Sequence, residues 1–179
     1  RYLEDASRRG EAPALAMLIH SLAEQNGRSG EYDEQLDALV RVLLELPHPQ
    51  PYFYELADSY LIEPEMRLQY VRSGYERFPG QADLRRRYTR ALWAAKHQEE
   101  DLLALVREAV DAENAAPEDL WQGAEILQYA SRHGEALALV RRLSAVSSVE
   151  AQRALTLVEA DMHVRAGELD AAARTFRKF

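Results

Sequence analysis

The sequence has no cysteine, which excludes disulfides, thiolate metal sites and cysteine nucleophiles and leaves the redox compartment open. β-Branched residues are scarce: Val, Ile and Thr number 10, 3 and 3 in 179 residues. A chain so poor in strand formers is a weak candidate for a sheet. No apolar run approaches the roughly 18–20 residues that span a bilayer, and no signal-peptide pattern opens the chain. Positive charge is in deficit, with 22 Lys+Arg against 30 Asp+Glu and a formal net charge of −8. That balance argues against a general nucleic-acid binder, which needs a cationic surface to neutralise phosphate. What is abundant is Ala (28) and Leu (25), both strong helix formers. With 47% hydrophobic and 29% charged residues the composition is that of a folded chain, and the fold class it predicts is all-α.

A repeat runs through the chain. Its clearest unit, Ala16 to Pro49, opens with an apolar helix (Ile19, Leu22, Ala23) and turns at Asn26-Gly27-Arg28-Ser29-Gly30. It continues through Glu31-Tyr32-Asp33-Glu34 into a second helix and stops at Pro47. Leu36, Leu39, Val40 and Leu43 have the i, i+3, i+4, i+7 spacing of one buried helical face. Equivalent first-helix positions are Ala23, Ala57, Thr89, Ala124 and Ala160, and equivalent second-helix positions are Gln35, Arg67, Asp101, Ala136 and Ala172. Both series recur every 32–36 residues. A small side chain at the first-helix position lets two helices approach closely, and enlarging it overpacks the contact. Turns are expected at Glu63-Pro64-Glu65, Lys96-His97-Gln98, Ser131-Arg132-His133-Gly134 and Ala166-Gly167. Pro47-His48-Pro49-Gln50-Pro51 reads as the stop of one helix and the start of the next rather than as a polyproline ligand.

This period and pattern resemble the tetratricopeptide repeat. The best matches are Leu22-Ala23, Gly30-Glu31-Tyr32-Asp33-Glu34 and Pro47 in the first unit, and Gly167-Glu168-Leu169-Asp170-Ala171-Ala172 with Phe176 in the last. Thr89, Lys96 and Asp101 depart from the pattern in the third. The resemblance implies an α-solenoid of stacked helix–turn–helix units forming a right-handed superhelix. It sets the repeats at 16–49, 50–81, 82–116, 117–152 and 153–179, the last incomplete, with 1–15 as the second helix of a preceding repeat. The chain starts with Arg1 and carries no polar capping helix at its end, so a segment of a longer array is expected.

Catalytic patterns are missing from the sequence. No Gly-x-Gly-x-x-Gly, Gly-Lys-Ser/Thr phosphate loop, Gly-x-Ser-x-Gly or His-Glu-x-x-His occurs. The five histidines lie 28 or more residues apart, so none forms a helical metal pair. Glu99-Glu100-Asp101 sits at a helix start, where the macrodipole favours negative charge. The expectation is a non-catalytic chain without metal or cofactor.

The resemblance also implies that the first helices line a concave face. In the register above this face carries Tyr54, Asp58, Arg86, Arg90, Trp93, Trp121, Glu125, Gln128 and Tyr129, flanked by His20, Glu24 and Asp161. Trp, Tyr and Arg are the residues that dominate binding hot spots. Two readings of Arg85-Arg86-Arg87 with Arg90 stand side by side: recognition of an anion such as a peptide carboxylate, or pairing with acids on neighbouring helices. Trp93 and Trp121 are likewise either groove or packing residues. The function expected is a protein- or peptide-binding scaffold, with no nucleic acid as partner and no membrane insertion. With 20 Arg to 2 Lys, the style of the sequence is similar to the periplasmic helical-repeat regions of bacterial exopolysaccharide (biofilm) export proteins. That similarity implies a periplasmic location and recruitment of a polymer-modifying enzyme. A groove binding a cationic polysaccharide directly, and a cytosolic regulatory adaptor, are the alternatives.

Overall fold

A computed structural model of the chain describes residues 12–26, 32–47, 49–95, 99–111 and 115–177. Gly27, Gly30, His48, Lys96 and His97, and most of the expected 1–15 helix, lie outside the described residues. All regular structure among the described residues is α-helix, and it falls into two compact units, residues 1–95 and 96–179. The division lies within the expected 82–116 repeat, between its two helices.

The first unit contains α1 (Ala12–Asn26), α2 (Asp33–Leu44), α3 (Pro51–Tyr60), α4 (Pro64–Arg77) and α5 (Ala82–Ala94). Residues 12–15 are continuous with the helix that carries Ala16, Ile19 and Ala23. Asp33 and Glu34 open α2 and Arg41 closes it, matching the helix dipole at both ends. Pro51 and Pro64 start their helices with φ already set. Each helix packs on the next, and α3 also meets α5. Ile19, Leu36, Val40, Leu43, Phe53, Ala57, Leu61, Val71 and Leu84 are sealed from solvent at the centre. α4 approaches α3 so closely at Gly74 that a Cβ there would lie 2.6 Å from Cγ of Tyr54.

The second unit contains α6 (Glu99–Val110), α7 (Pro117–Tyr129), α8 (His133–Val146), α9 (Val149–Arg165) and α10 (Leu169–Phe176), each packed on its neighbour in sequence. Its core is smaller-grained: Ala124, Ala136, Ala160 and Ala172 are buried among Leu105, Leu127, Ile126, Val140 and Met162. The expected boundary at 152/153 falls inside α9. That helix starts at Val149 because the hydroxyl of Ser148 accepts a hydrogen bond from the Ala151 N–H, 3.3 Å. The α7–α8 turn places Ser131, not Gly134, in the left-handed region (φ 58°), while Gly134 is already helical. Arg142 donates from Nη1 to the carbonyl of Val110 at 2.8 Å, satisfying an orphan acceptor at the end of α6.

Four of the five first-helix small positions are buried: Ala57, Thr89, Ala124 and Ala160. Thr89 is accommodated because its hydroxyl donates to the Arg85 carbonyl at 2.9 Å and leaves no polar atom stranded. At the second-helix position only Ala136 and Ala172 are buried; Gln35 and Asp101 are exposed and Arg67 is half-buried.

Candidate functional site

In the first unit the expected site residues fall on α3 and α5. Tyr54, expected on the partner-facing surface, belongs instead to the core. It is 5% exposed, with its ring edge-on to Phe78 (centroids 6.0 Å apart) and its Cγ and Cβ filling the notch left by Gly74. Asp58 is committed to Arg87, whose Nη1 donates to it at 2.8 Å, and Glu55 lies 3.6 Å from the same guanidinium. This contact ties α3 to α5. Arg86 turns the other way and pairs with Asp83 on its own helix at 2.7 Å, which holds the Asp83 carboxyl below its ordinary range. The arginine run is therefore absorbed in part by neighbouring acids. Arg87, absent from the expected set, makes the interhelical contact, because consecutive helical residues point about 100° apart. Arg90 is exposed and Trp93 half-buried.

A second polar cluster holds α2 to the α3–α4 link. Asp37 accepts from Nε of Arg41 at 2.6 Å and from the backbone N–H of Ile62 at 3.0 Å. Arg41 also lies 3.7 Å from Glu63, and Arg67 donates from Nε and Nη2 to the Leu61 carbonyl at 3.2 and 2.6 Å. The Arg41 hydrogen bond draws the Asp37 carboxyl below its ordinary range, and Asp37 in turn raises the guanidinium of Arg41. These groups are satisfied by one another, which suits them to holding a turn rather than a ligand.

In the second unit the expected residues share one side of α7. Trp121, Glu125, Gln128 and Tyr129 follow i, i+4, i+7, i+8, one step out of phase with Leu120, Ala124 and Leu127, which face the core. Trp121 is 37% and Tyr129 68% exposed; Glu125 is exposed and Gln128 half-buried. At the equivalent positions of α9, Leu157, Asp161, Val164 and Arg165 also turn outward, with Arg165 donating to Asp161 at 2.7 Å. The second unit thus carries apolar and charged side chains at matched positions of α7 and α9 that are partly or fully exposed. Of the flanking residues, His20 and Glu24 are exposed on α1.

Two histidines distant in sequence come together. His133 and His163 line a cavity of about 30 Å³ with Gly134, Leu137, Met162, Ala166 and Glu168. His163 is 6% exposed, and its Nδ1 lies 2.7 Å from Glu168 while Nε2 lies 3.8 Å from Glu159. Glu159 also accepts from Arg141 at 2.8 Å. The 30-residue separation gives no periodic signal, so only the packing of α8 and α9 reveals the pair. No group of three or more His, Asp or Glu side chains among the described residues is arranged to hold a metal ion. No helix among them is long and apolar enough to cross a membrane. Compared with known proteins, the chain matches no protein-family model and no curated protein.

Proposed function

We propose that the chain is a non-catalytic interaction scaffold of tetratricopeptide-like helical hairpins, and that it binds a protein or peptide along the outward side of α7. The observation that carries this reading is the stripe Trp121–Glu125–Gln128–Tyr129. It presents two large aromatic rings and a carboxylate to solvent on a helix whose opposite side is fully used in packing. Tryptophan and tyrosine supply much of the binding energy when a partner covers the part of the ring left in water, and both rings here keep such a part exposed. The matched positions on α9 extend the same chemistry, with Leu157 and Val164 apolar and Asp161 acidic. An acidic chain favours a partner with cationic groups, and such binding weakens as salt screens exposed charges beyond about 8 Å at physiological ionic strength.

A photoreactive residue placed at Gln128 tests the reading, with a second at exposed Ala138 on α8 as control. The scaffold reading expects one protein crosslinked from position 128 and not from 138, and direct binding of that protein when purified. Equal crosslinking from both positions, or turnover of a substrate by the purified chain, contradicts it.

A further inference from the structure

The second unit also has a cleft whose lining shares no residue with the α7 stripe. α6 and the α7–α8 link border an open cleft of about 740 Å³ lined by Glu100, Leu103, Arg107 and Arg132, within the size range of small-ligand sites. Its two guanidiniums come from different elements and are in different states. Arg107 is exposed in the last turn of α6 and has no hydrogen-bond or ion-pair partner among the described residues. Arg132 is held along one edge only: Nε donates to Glu135 at 2.6 Å and Nη2 lies 2.5 Å from the same oxygen. Glu135 fixes the plane of that guanidinium and leaves Nη1 unused. Leu103, a buried residue of the core, shows its edge to the cleft as an apolar wall, and Glu100 adds an exposed carboxylate to the lining.

We infer that this cleft binds a peptide carboxylate through Arg107 and Arg132. A guanidinium presents a planar fork of donors that matches the two oxygens of a carboxylate, and charge-assisted bonds of this kind are roughly twice as strong as neutral ones. Glu100 decides between anions. Beside it, a group with one negative charge meets less repulsion than a phosphate with nearly two. Glu100 also attracts a cation on the same ligand, so the preferred peptide carries a lysine or arginine next to its carboxylate, with an apolar side chain against Leu103. The choice of a peptide rests on the scaffold reading above; the anion site itself does not.

The test is titration of the full chain with acetyl-Ala-Ala-Lys-Leu bearing a free C-terminus, followed by the Nε–Hε resonances of Arg107 and Arg132. Parallel titrations use the same peptide amidated, acetyl-Ala-Glu-Lys-Leu-amide and inorganic phosphate. Shifts at both arginines and at least a 10-fold loss of affinity on amidation identify a C-terminal carboxylate. Recovery of affinity by the glutamate-containing amide identifies a side-chain carboxylate as sufficient. Arg107→Gln, at an exposed position, should weaken binding at least 10-fold with an unchanged melting temperature. Equal affinity for free and amidated peptides with no glutamate, unchanged affinity in Arg107→Gln, or phosphate binding more tightly than any peptide overturns the inference. If Trp121→Ala abolishes peptide binding while Arg107→Gln does not, the cleft fails and the α7 scaffold stands. If the arginines respond to the carboxylate while Trp121→Ala leaves every partner bound as before, the cleft stands and the α7 reading fails.

Discussion

Three-residue links join α3 to α4 in the first unit, and α7 to α8 and α9 to α10 in the second, but they close by opposite means. In the second unit the backbone does the work. The N–H groups of Arg132 and Glu168 reach back to the carbonyls of Leu127 and His163, both at 2.8 Å, across a residue in the left-handed region: Ser131 in one link, Gly167 in the other. This is the Schellman arrangement, and it satisfies helix-end carbonyls with no side chain involved. In the first unit Leu61 and Glu63 stay extended, and side chains supply the missing partners. Asp37 receives the Ile62 N–H and Arg67 covers the Leu61 carbonyl. A backbone closure depends on one residue tolerating positive φ. A side-chain closure depends on ionised groups from three places in the chain and is therefore sensitive to pH and to single charge changes.

The largest effect expected in either unit comes from the close approach behind the first link. Gly74→Ala drives a Cβ into Cγ and Cβ of Tyr54, atoms near the backbone that cannot swing aside. A loss of about 1–3 kcal/mol is expected from such overpacking. It should appear as faster amide exchange in α3 and α4 while α8 and α9 are unaffected.

Next comes Asp37. Its carboxyl is held below the ordinary range chiefly by Arg41, so the folded state binds its proton less readily than the unfolded chain. Its contribution is complete above about pH 4 and is lost as pH falls through the depressed value. Asp37→Asn keeps an acceptor for Ile62 and loses the ion pair. Protection of the Ile62 amide should fall with acidification in the natural protein and lose most of that dependence in the variant. Identical pH profiles would remove the charge from the account of this link.

The smallest effects exchange the two left-handed residues. Gly167→Ala should cost about 1 kcal/mol by forcing a Cβ into positive φ, where space is open and only backbone strain acts. Ser131→Gly should gain a few tenths of a kcal/mol by relieving the same strain. Opposite signs, read from thermal unfolding of the second unit, confirm that the two links are the same device. Equal signs separate them.

The period of the small residues was the strongest signal in the sequence because it reflects a one-position steric constraint. Ala57, Ala124 and Ala160 are sealed where the helices meet, and Thr89 fits once its hydroxyl bonds to its own backbone. Turn chemistry was less legible. The turn expected over Ser131-Arg132-His133-Gly134 contains a glycine, yet a left-handed turn needs a glycine only to avoid strain, and Ser131 bears that strain here. Helical phase was the weakest point of the site. Tyr54 has a polar tip that suits a surface and a ring that suits a core, and the notch at Gly74 decided for the core. Arg86 and Arg87 are adjacent in sequence but serve different helices. The grouping of Trp121, Glu125, Gln128 and Tyr129 on one side of α7 follows from their i, i+4, i+7, i+8 spacing, but the spacing alone left Trp121 between groove and packing. The meeting of His133 and His163 was not legible, since only the packing of α8 on α9 unites them.

The central claim is that this stripe on α7 binds a partner rather than stabilising the fold. The direct measurement compares affinity and melting temperature for the natural chain and Trp121→Ala, using the protein captured from position 128. The account predicts that affinity falls at least about 30-fold, the equivalent of a hot-spot loss of about 2 kcal/mol, with the melting temperature unchanged. Unchanged affinity with a sharply lower melting temperature would place Trp121 in the core and contradict it.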